Sequence, residues 1–330
     1  MSTTRRTVAV TGATGFVGTH VLDRLLEEPD IDVRCLVRRT SDVSKLSAEH
    51  PRVTVRAGDV CDPASLRPFL EGAWGVINLA GYRDFWSRDR KLYYELNTQG
   101  AENVFRAALD AKVEKVVQVS TPLAFGVPET IPFDEDSDAG PHPSDYARSK
   151  HLGDEAGWRL HRENGLPLTV VHLAAVIGAG DPRPTMEVQR AVERRLPVLV
   201  GADTTYTYVH VRDAAEAIVR ALLRPISLGR RYLIGTERAS TREYFEVIGE
   251  LADVPVPRYN LPESALLPVA RILERVARWT GRRPPLPVDI LKTTAAGSLV
   301  FDGSRAQEEL EMEYIPLREA LREAVAELRG

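Results

Sequence analysis

The stretch VAVTGATGFVGTHVLDRLL, residues 8–26, opens on a short apolar run, breaks at three glycines and resumes with a helical apolar period. Gly12, Gly15 and Gly18 stand in the pattern T-G-x-x-G-x-x-G between the two. Glycines at these places permit a tight turn, let a diphosphate approach the backbone and allow the helix to pack closely on the strand. The unpaired N–H groups and positive end of the helix then face the anion. The spacing predicts a dinucleotide site built on Gly12, Thr14, Gly15, Phe16, Val17 and Gly18.

Further apolar runs follow at 33–39, 53–60, 74–81, 114–121 and 168–175, separated by amphipathic stretches such as NTQGAENVFRAALDA (97–111). Continuous apolar strands alternating with helices predict a parallel sheet covered on both faces, a doubly wound α/β fold of Rossmann type. After residue 175 prolines become frequent, in GAGDPRPT (178–185), LPESALLPV (261–269) and TGRRPPLPV (280–288), which predicts a smaller, discontinuous second lobe. The expected division is a dinucleotide-binding domain at 1–175, rejoined by a strand and helix at 206–228, with 176–205 and 229–330 forming a substrate-binding lobe. No internal repeat is found.

The 330 residues carry a net charge of -4, with 43% hydrophobic and 27% charged residues. That composition suits a folded globular protein and gives no overall pull toward nucleic acid. Neither a signal-peptide core nor an apolar run of bilayer length is present in the sequence, so a cytoplasmic location without an integral membrane segment is expected. Cys35 and Cys61 are too few for a metal cluster and are expected to be buried thiols; no metal site is expected.

The run SDYARSKHLG (144–153) places Tyr146 four residues before Lys150, and no other of the ten tyrosines has a lysine at that distance. On a helix the two share a face, and the cation favours the phenolate of a group whose ordinary pKa is near ~10. At the end of the second strand, LVRR, an acid that would meet a ribose 2′-hydroxyl is missing. Arg38, with Arg39 beside it, suits a 2′-phosphate, so NADP is expected, with NAD as the alternative. Asp59 and Val60 in GDV (58–60) are expected beside the adenine.

In this order, T-G-x-x-G-x-x-G, GDV, NLAG (78–81) and Y-x-x-x-K resemble the extended short-chain dehydrogenase/reductases over nearly the whole chain. The resemblance implies that Tyr146 and Lys150 are the catalytic pair, Lys150 also holding the nicotinamide ribose, and that Leu79, Ala80 and Gly81 border the cofactor. It implies a hydroxyl on the reacting oxygen five residues before a glycine, which in STPLAFG selects Thr121, with Ser120 as the runner-up. Asn97, in ELNTQG, matches the family's active-site asparagine, tied to a proton relay.

Within that resemblance, Tyr206 in YTYVHV stands where members acting on nucleotide-sugar diphosphates carry an arginine, and Pro122 and Leu123 replace the Asp–Glu pair of dehydratases. The segments GYRDFWSRDRKLYY (81–94) and TGRRPPLPVDILK (280–292) look like the branch containing dihydroflavonol reductases, 3β-hydroxysteroid dehydrogenases and bacterial proteins labelled sugar epimerases. The substrate implied is a partly apolar carbonyl or secondary alcohol, with Phe85, Trp86, Leu123 and Tyr206 lining its pocket. His172 and Leu173 depart from the Arg-Pro or Asn-Pro of many relatives, and His172 is expected to be a core residue. Two alternatives stay open: an epimerase that recycles a bound dinucleotide, and a non-catalytic sensor or structural subunit. Homodimers are common in the family, although no residue here demands one. The segment 263–279 carries Leu266, Val269, Ala270, Leu273, Val276 and Ala277 on one stripe, expected to pack on the core, with docking at a membrane surface as the alternative.

Overall fold

Six of the apolar runs become strands: β1 (Arg6–Thr11), β2 (Ile31–Val37), β3 (Val53–Ala57), β4 (Gly75–Asn78), β5 (Lys115–Ser120) and β6 (Leu168–Leu173). In the computed structural model, which describes residues 5–44, 46–47, 49–180, 189–193, 198–257 and 259–329, they lie parallel in the order β3-β2-β1-β4-β5-β6. A seventh parallel strand, Arg231–Ile234, adds beside β6. β4, β5 and β6 are buried along their whole length because helices cover both faces.

Alternation along each strand assigns its residues to the two faces. Val8 and Val10 meet Val21, Leu22 and Leu25 of α1 (Phe16–Leu26) and Ile218 and Leu222 of the helix Val211–Leu223. Ala9, Val76 and Val116 join Leu66 and Phe69 of α2 (Pro63–Leu70) and Val104 and Phe105 of the helix Ala101–Asp110 on the other face. Trp158 and Leu160 of the long helix Asp145–Asn164 complete that cluster. Full burial of side chains such as Leu22, Phe69 and Ile218 stabilises the fold by about 1.5–3 kcal/mol each.

A second core holds Ile177, Tyr208, Tyr244, Phe245, Ile248 and Leu321. It is built on a three-stranded sheet of Ala175–Ile177, Thr205–His210 and Glu237–Ser240. The adjoining helix Thr241–Ala252 starts on a capping box in which Ser240 and Glu243 satisfy each other's backbone N–H groups. Parts of the expected lobe, 181–188 and 194–197, lie outside the described residues.

The chain divides differently from the boundaries expected of it. Strand 205–210 pairs in the smaller sheet, and only the helix after it returns to the main one. The seventh strand of the main sheet comes from the stretch assigned to the lobe, as do Phe301, Leu310 and Met312, which fill the main core. RYLI is four residues long and carries no period of its own, so its place depends on the vacant edge of β6. Two further expectations fail. Cys61 is exposed at the turn after β3, while Cys35 is buried. In the helix Glu263–Thr280 only Ala270 and Ala277 are buried, and Val269 and Val276 of the expected buried stripe face outward.

Candidate active site

Between β1 and β4 the strand order reverses, and the crevice at their carboxyl ends is where open α/β sheets take ligands. Thr11 Oγ1 donates to Asn78 Oδ1 at 2.5 Å, and Asn78 Nδ2 donates to Gln118 Oε1 at 2.7 Å, tying the ends of three strands together. The Ala80 N–H donates back to Thr11 Oγ1 at 3.2 Å. These side chains are buried and mutually satisfied, which fixes the rim of the crevice.

The glycine turn fits against that rim. Gly12 has φ +71°, and a Cβ there would lie 2.7 Å from the Leu79 carbonyl carbon and 2.8 Å from the Ala80 nitrogen, so only glycine lets the chain pass. Gly15 begins α1 without a side-chain cap, and the first turn has no acidic residue, leaving its N–H groups open to an anion. Thr14, Phe16 and Val17 are half-buried around the turn and Gly18 is buried beneath it. This cradle fits the diphosphate of a dinucleotide. Arg38 is exposed just past β2, at the expected adenosine end. Asp59 turns one carboxylate oxygen to the Cys61 N–H at 2.9 Å, and the buried Val60 gives its carbonyl to Asn103 Nδ2 at 3.0 Å. Leu79, Ala80 and Gly81 leave β4 beside the turn, with the Leu79 N–H donating to the Thr11 carbonyl at 3.2 Å.

The other residues gather around the helix Asp145–Asn164, which starts on Ser144, whose Oγ accepts the Ala147 N–H at 3.2 Å. Tyr146 stands half-buried in its first turn, its ring edge-on to Phe85 at 5.6 Å between centroids. One turn on, buried Lys150 donates from Nζ to the Val119 carbonyl at 2.7 Å, which holds the helix along the end of β5. Thr121 lies two residues beyond that carbonyl and caps a short 3-10 turn, its Oγ1 accepting the Leu123 N–H at 3.4 Å. Lys150 thus ties the helix of Tyr146 to the end of β5 at Val119, two residues before Thr121. Ser120 points elsewhere, donating to Asp154 Oδ2.

Asp154 was not anticipated, although it follows Lys150 at the same four-residue spacing that joins Tyr146 to Lys150. Burial pushes its carboxyl up to about 6, with the Lys150 ammonium acting against the rise, and Oδ1 has no partner among the described residues. Burial likewise lowers the pKa of Lys150, against the charge of Asp154. His172 is pushed down to about 3 by burial. It is therefore neutral, and its Nδ1 lies 3.2 Å from the Thr121 carbonyl, so the proton belongs on that nitrogen and braces the threonine's backbone.

Asn97 lies in a π-helical turn, Glu95–Gly100, and is buried. Its Oδ1 accepts the Tyr82 N–H at 2.7 Å, while Nδ2 donates to the Tyr82 carbonyl and to Ser149 Oγ, both at 2.9 Å. The amide therefore links the loop after β4 to the helix of Tyr146. Ser149, unmarked in the sequence reading, is the second end of this link. The same loop carries Phe85 and Trp86, and the Tyr82 hydroxyl donates to the Trp86 carbonyl at 2.9 Å. Leu123 and Tyr206 share a separate cleft with Gly126, Pro143, Thr293 and Leu299, which Phe85 and Trp86 do not line. Tyr206 donates from its hydroxyl to Thr294 Oγ1 at 3.3 Å. A roomier cavity of about 330 Å³, lined by residues such as Glu135, Trp158 and Arg231, shares no lining residue with these. Among the described residues no group of three His, Cys, Asp or Glu could hold a metal.

Over 336 residues the chain is 29% identical to sterol demethylase protein B of Methylococcus capsulatus, with 98% of each chain covered. It is 28% identical over 284 residues to dihydroflavonol 4-reductase of Callistephus chinensis, covering 78% of this chain and 74% of that one. The crystal structure of gox2253 superposes with a TM-score of 0.84 at 30% identity, covering 98% of both chains. The description of the NAD dependent epimerase/dehydratase family matches residues 8–235, from β1 through the seventh strand of the sheet. The glycine cradle at the strand reversal and this match over most of the chain agree: the protein belongs to the NAD-dependent epimerase/dehydratase family of NAD(P)-dependent enzymes.

Proposed function

We propose that the protein is an NADP-dependent reductase or dehydrogenase acting on the carbonyl or secondary alcohol of a partly apolar small molecule. The observation that carries this reading is the bond from Lys150 Nζ to the Val119 carbonyl. It sets a buried cation one helical turn from Tyr146 and beside the backbone that leads into Thr121, so on this reading a proton-exchanging phenol and a hydroxyl share the crevice edge. When bound, the dinucleotide supplies or accepts the hydride. Tyr146 holds the proton that the substrate oxygen gains or loses, Lys150 favours its phenolate, and the Thr121 hydroxyl orients that oxygen. Asn97 holds the Phe85 loop over the phenol.

Arg38 is the residue that favours NADP, because a guanidinium at the end of β2 pairs with a 2′-phosphate and leaves a free ribose hydroxyl unserved. Tyr206 leaves its cleft without the cation that a sugar-linked diphosphate needs, and Leu123 gives that cleft an apolar wall. Two relatives named for a sterol and a flavonol support ring-bearing, partly apolar substrates.

The test is NADPH and NADH consumption by the purified protein on aromatic aldehydes, ketosteroids and flavonoid ketones. Turnover should fall by about 10²–10⁴-fold in Tyr146→Phe, and Arg38→Ala should raise the KM for NADPH while leaving that for NADH nearly unchanged. A silent panel with the dinucleotide demonstrably bound would transfer the reading to an epimerase that retains its hydride.

A further inference from the structure

The helix Glu263–Thr280 leaves large apolar side chains in water: Val269, Ile272, Val276 and Trp279 are 49%, 60%, 51% and 87% exposed. At 100° per residue these four fall within one arc of about 80°, away from the face on which Ala270 and Ala277 are buried, where Ala270 packs with Val288 and Leu291 of the neighbouring helix Val288–Ala295. Arg275 and Arg271 follow about 40° and 80° beyond that arc on one side, Arg278 lies further round on the far face, and Arg282 follows at the helix end; all four are exposed. Of the helix's two acids, Glu274 accepts the Val288 N–H at 2.8 Å and pairs at 3.8 Å with Arg278, and Glu263 is half-buried near Gly201, so neither is paired with Arg271 or Arg275 among the described residues.

We infer that this helix is an interfacial anchor that docks the protein onto an anionic lipid bilayer, lying in the plane of the headgroups with its valine, isoleucine and tryptophan side chains inserted. Charge selects this occupant. A second copy of the chain seated on the same face would bring the same arginines against one another, whereas anionic headgroups neutralise them and draw them to the surface. The helix is not a membrane span: among the described residues none is long and apolar enough to cross. Its carboxyl end leads toward the reaction edge, since Arg283 pairs with Asp84 at 2.8 Å on the loop that sets Phe85 against Tyr146. A docked molecule would therefore present that loop near the headgroup layer, where an apolar substrate dissolves. Only this last consequence rests on the proposed reductase reading; the docking does not.

The experiment is sedimentation of the full chain with vesicles of phosphatidylcholine alone and of phosphatidylcholine mixed with phosphatidylglycerol. Binding is expected to the mixture and to be much weaker with neutral lipid. Arg271→Gln and Arg275→Gln should each lower the partition coefficient by about five-fold, and Ile272→Ser with Trp279→Ser by more than about ten-fold. Circular dichroism and thermal melts should show all variants folded, as expected for outward side chains. Absence of vesicle binding, equal binding to both lipids or indifference to these substitutions would overturn the proposal. So would a dimer in sedimentation velocity that the same substitutions dissociate, since the face would then belong to a second copy. NADPH oxidation with a water-soluble aldehyde, run on the same samples, separates the two readings: docking can fail with the reductase intact, and the reverse.

Discussion

Lys150 is surrounded by groups that pull its charge in opposite directions. Burial disfavours the ammonium, and Asp154, one turn further along the helix, restores it in part. Because the Asp154 carboxyl is pushed up to about 6, it is an anion through the neutral and alkaline range, where the proposed chemistry needs the cation. Removing that anion should lower the Lys150 pKa further, so in Asp154→Asn the alkaline limb of the kcat/KM profile is expected to move to lower pH by about one unit. The same limb in wild type and variant would show that Asp154 does not govern the lysine. The four-residue repeat Tyr146–Lys150–Asp154 was in the sequence from the start. The first pair could be read because phenol and ammonium already imply chemistry. The second could not, because the burial that gives Asp154 its effect comes from β5 and β6, which neighbour this helix only in three dimensions.

At the level of elements, the helical period from residue 97 onward was legible, but the π-helical turn at Glu95–Gly100 was not, since in ELNTQG only Leu96 is apolar and a shift of phase there has no residues to register it. That turn aims Asn97 at the backbone of Tyr82, and Gly153 lets the helix of Tyr146 come close, because a Cβ there would collide with the Asn97 carbonyl. Asn97→Ala would leave the Tyr82 N–H and carbonyl without their partner, at about 1–3 kcal/mol for each buried group that stays dry. The expected result is a clear fall in the urea midpoint together with a KM rise larger than the kcat loss, as the Phe85 loop loosens over the phenol. A large kcat loss at unchanged stability and KM would instead place Asn97 in proton transfer. The first six strands of the main sheet were legible to within a few residues because parallel strands covered by helices read as near-continuous apolar runs. The helix Glu263–Thr280 was not, since apolar residues cover so much of its circumference that periodicity alone cannot say which part meets the core.

For the molecule as a whole, the glycine motif and the strand rhythm predicted the sheet but not its last strand or the places where the chain changes sides. The main core takes Ile218 and Leu222 from the helix 211–223, Tyr232, Leu233 and Ile234 from the seventh strand, and Phe301, Leu310 and Met312 from near the carboxyl end. Backbone bridges from Phe133 to Phe301 and from Tyr206 to Leu299 fasten the returning segment. Residues 1–175 therefore lack one cover of the sheet and leave the edge of β6 unpaired, an invitation to aggregation. The missing aliphatic and aromatic side chains are worth about 1.5–3 kcal/mol each, and together they are comparable to the whole of the roughly 5–15 kcal/mol by which a domain is stable. A fragment of residues 1–175 is thus expected to be insoluble or to melt without a cooperative transition, while the full chain unfolds as one unit and gains about 2.7 kcal/mol at a dinucleotide concentration a hundred times its Kd. A soluble fragment with its own sharp, dinucleotide-dependent melt would show instead that the first six strands form a self-sufficient domain and that the later segments only decorate it.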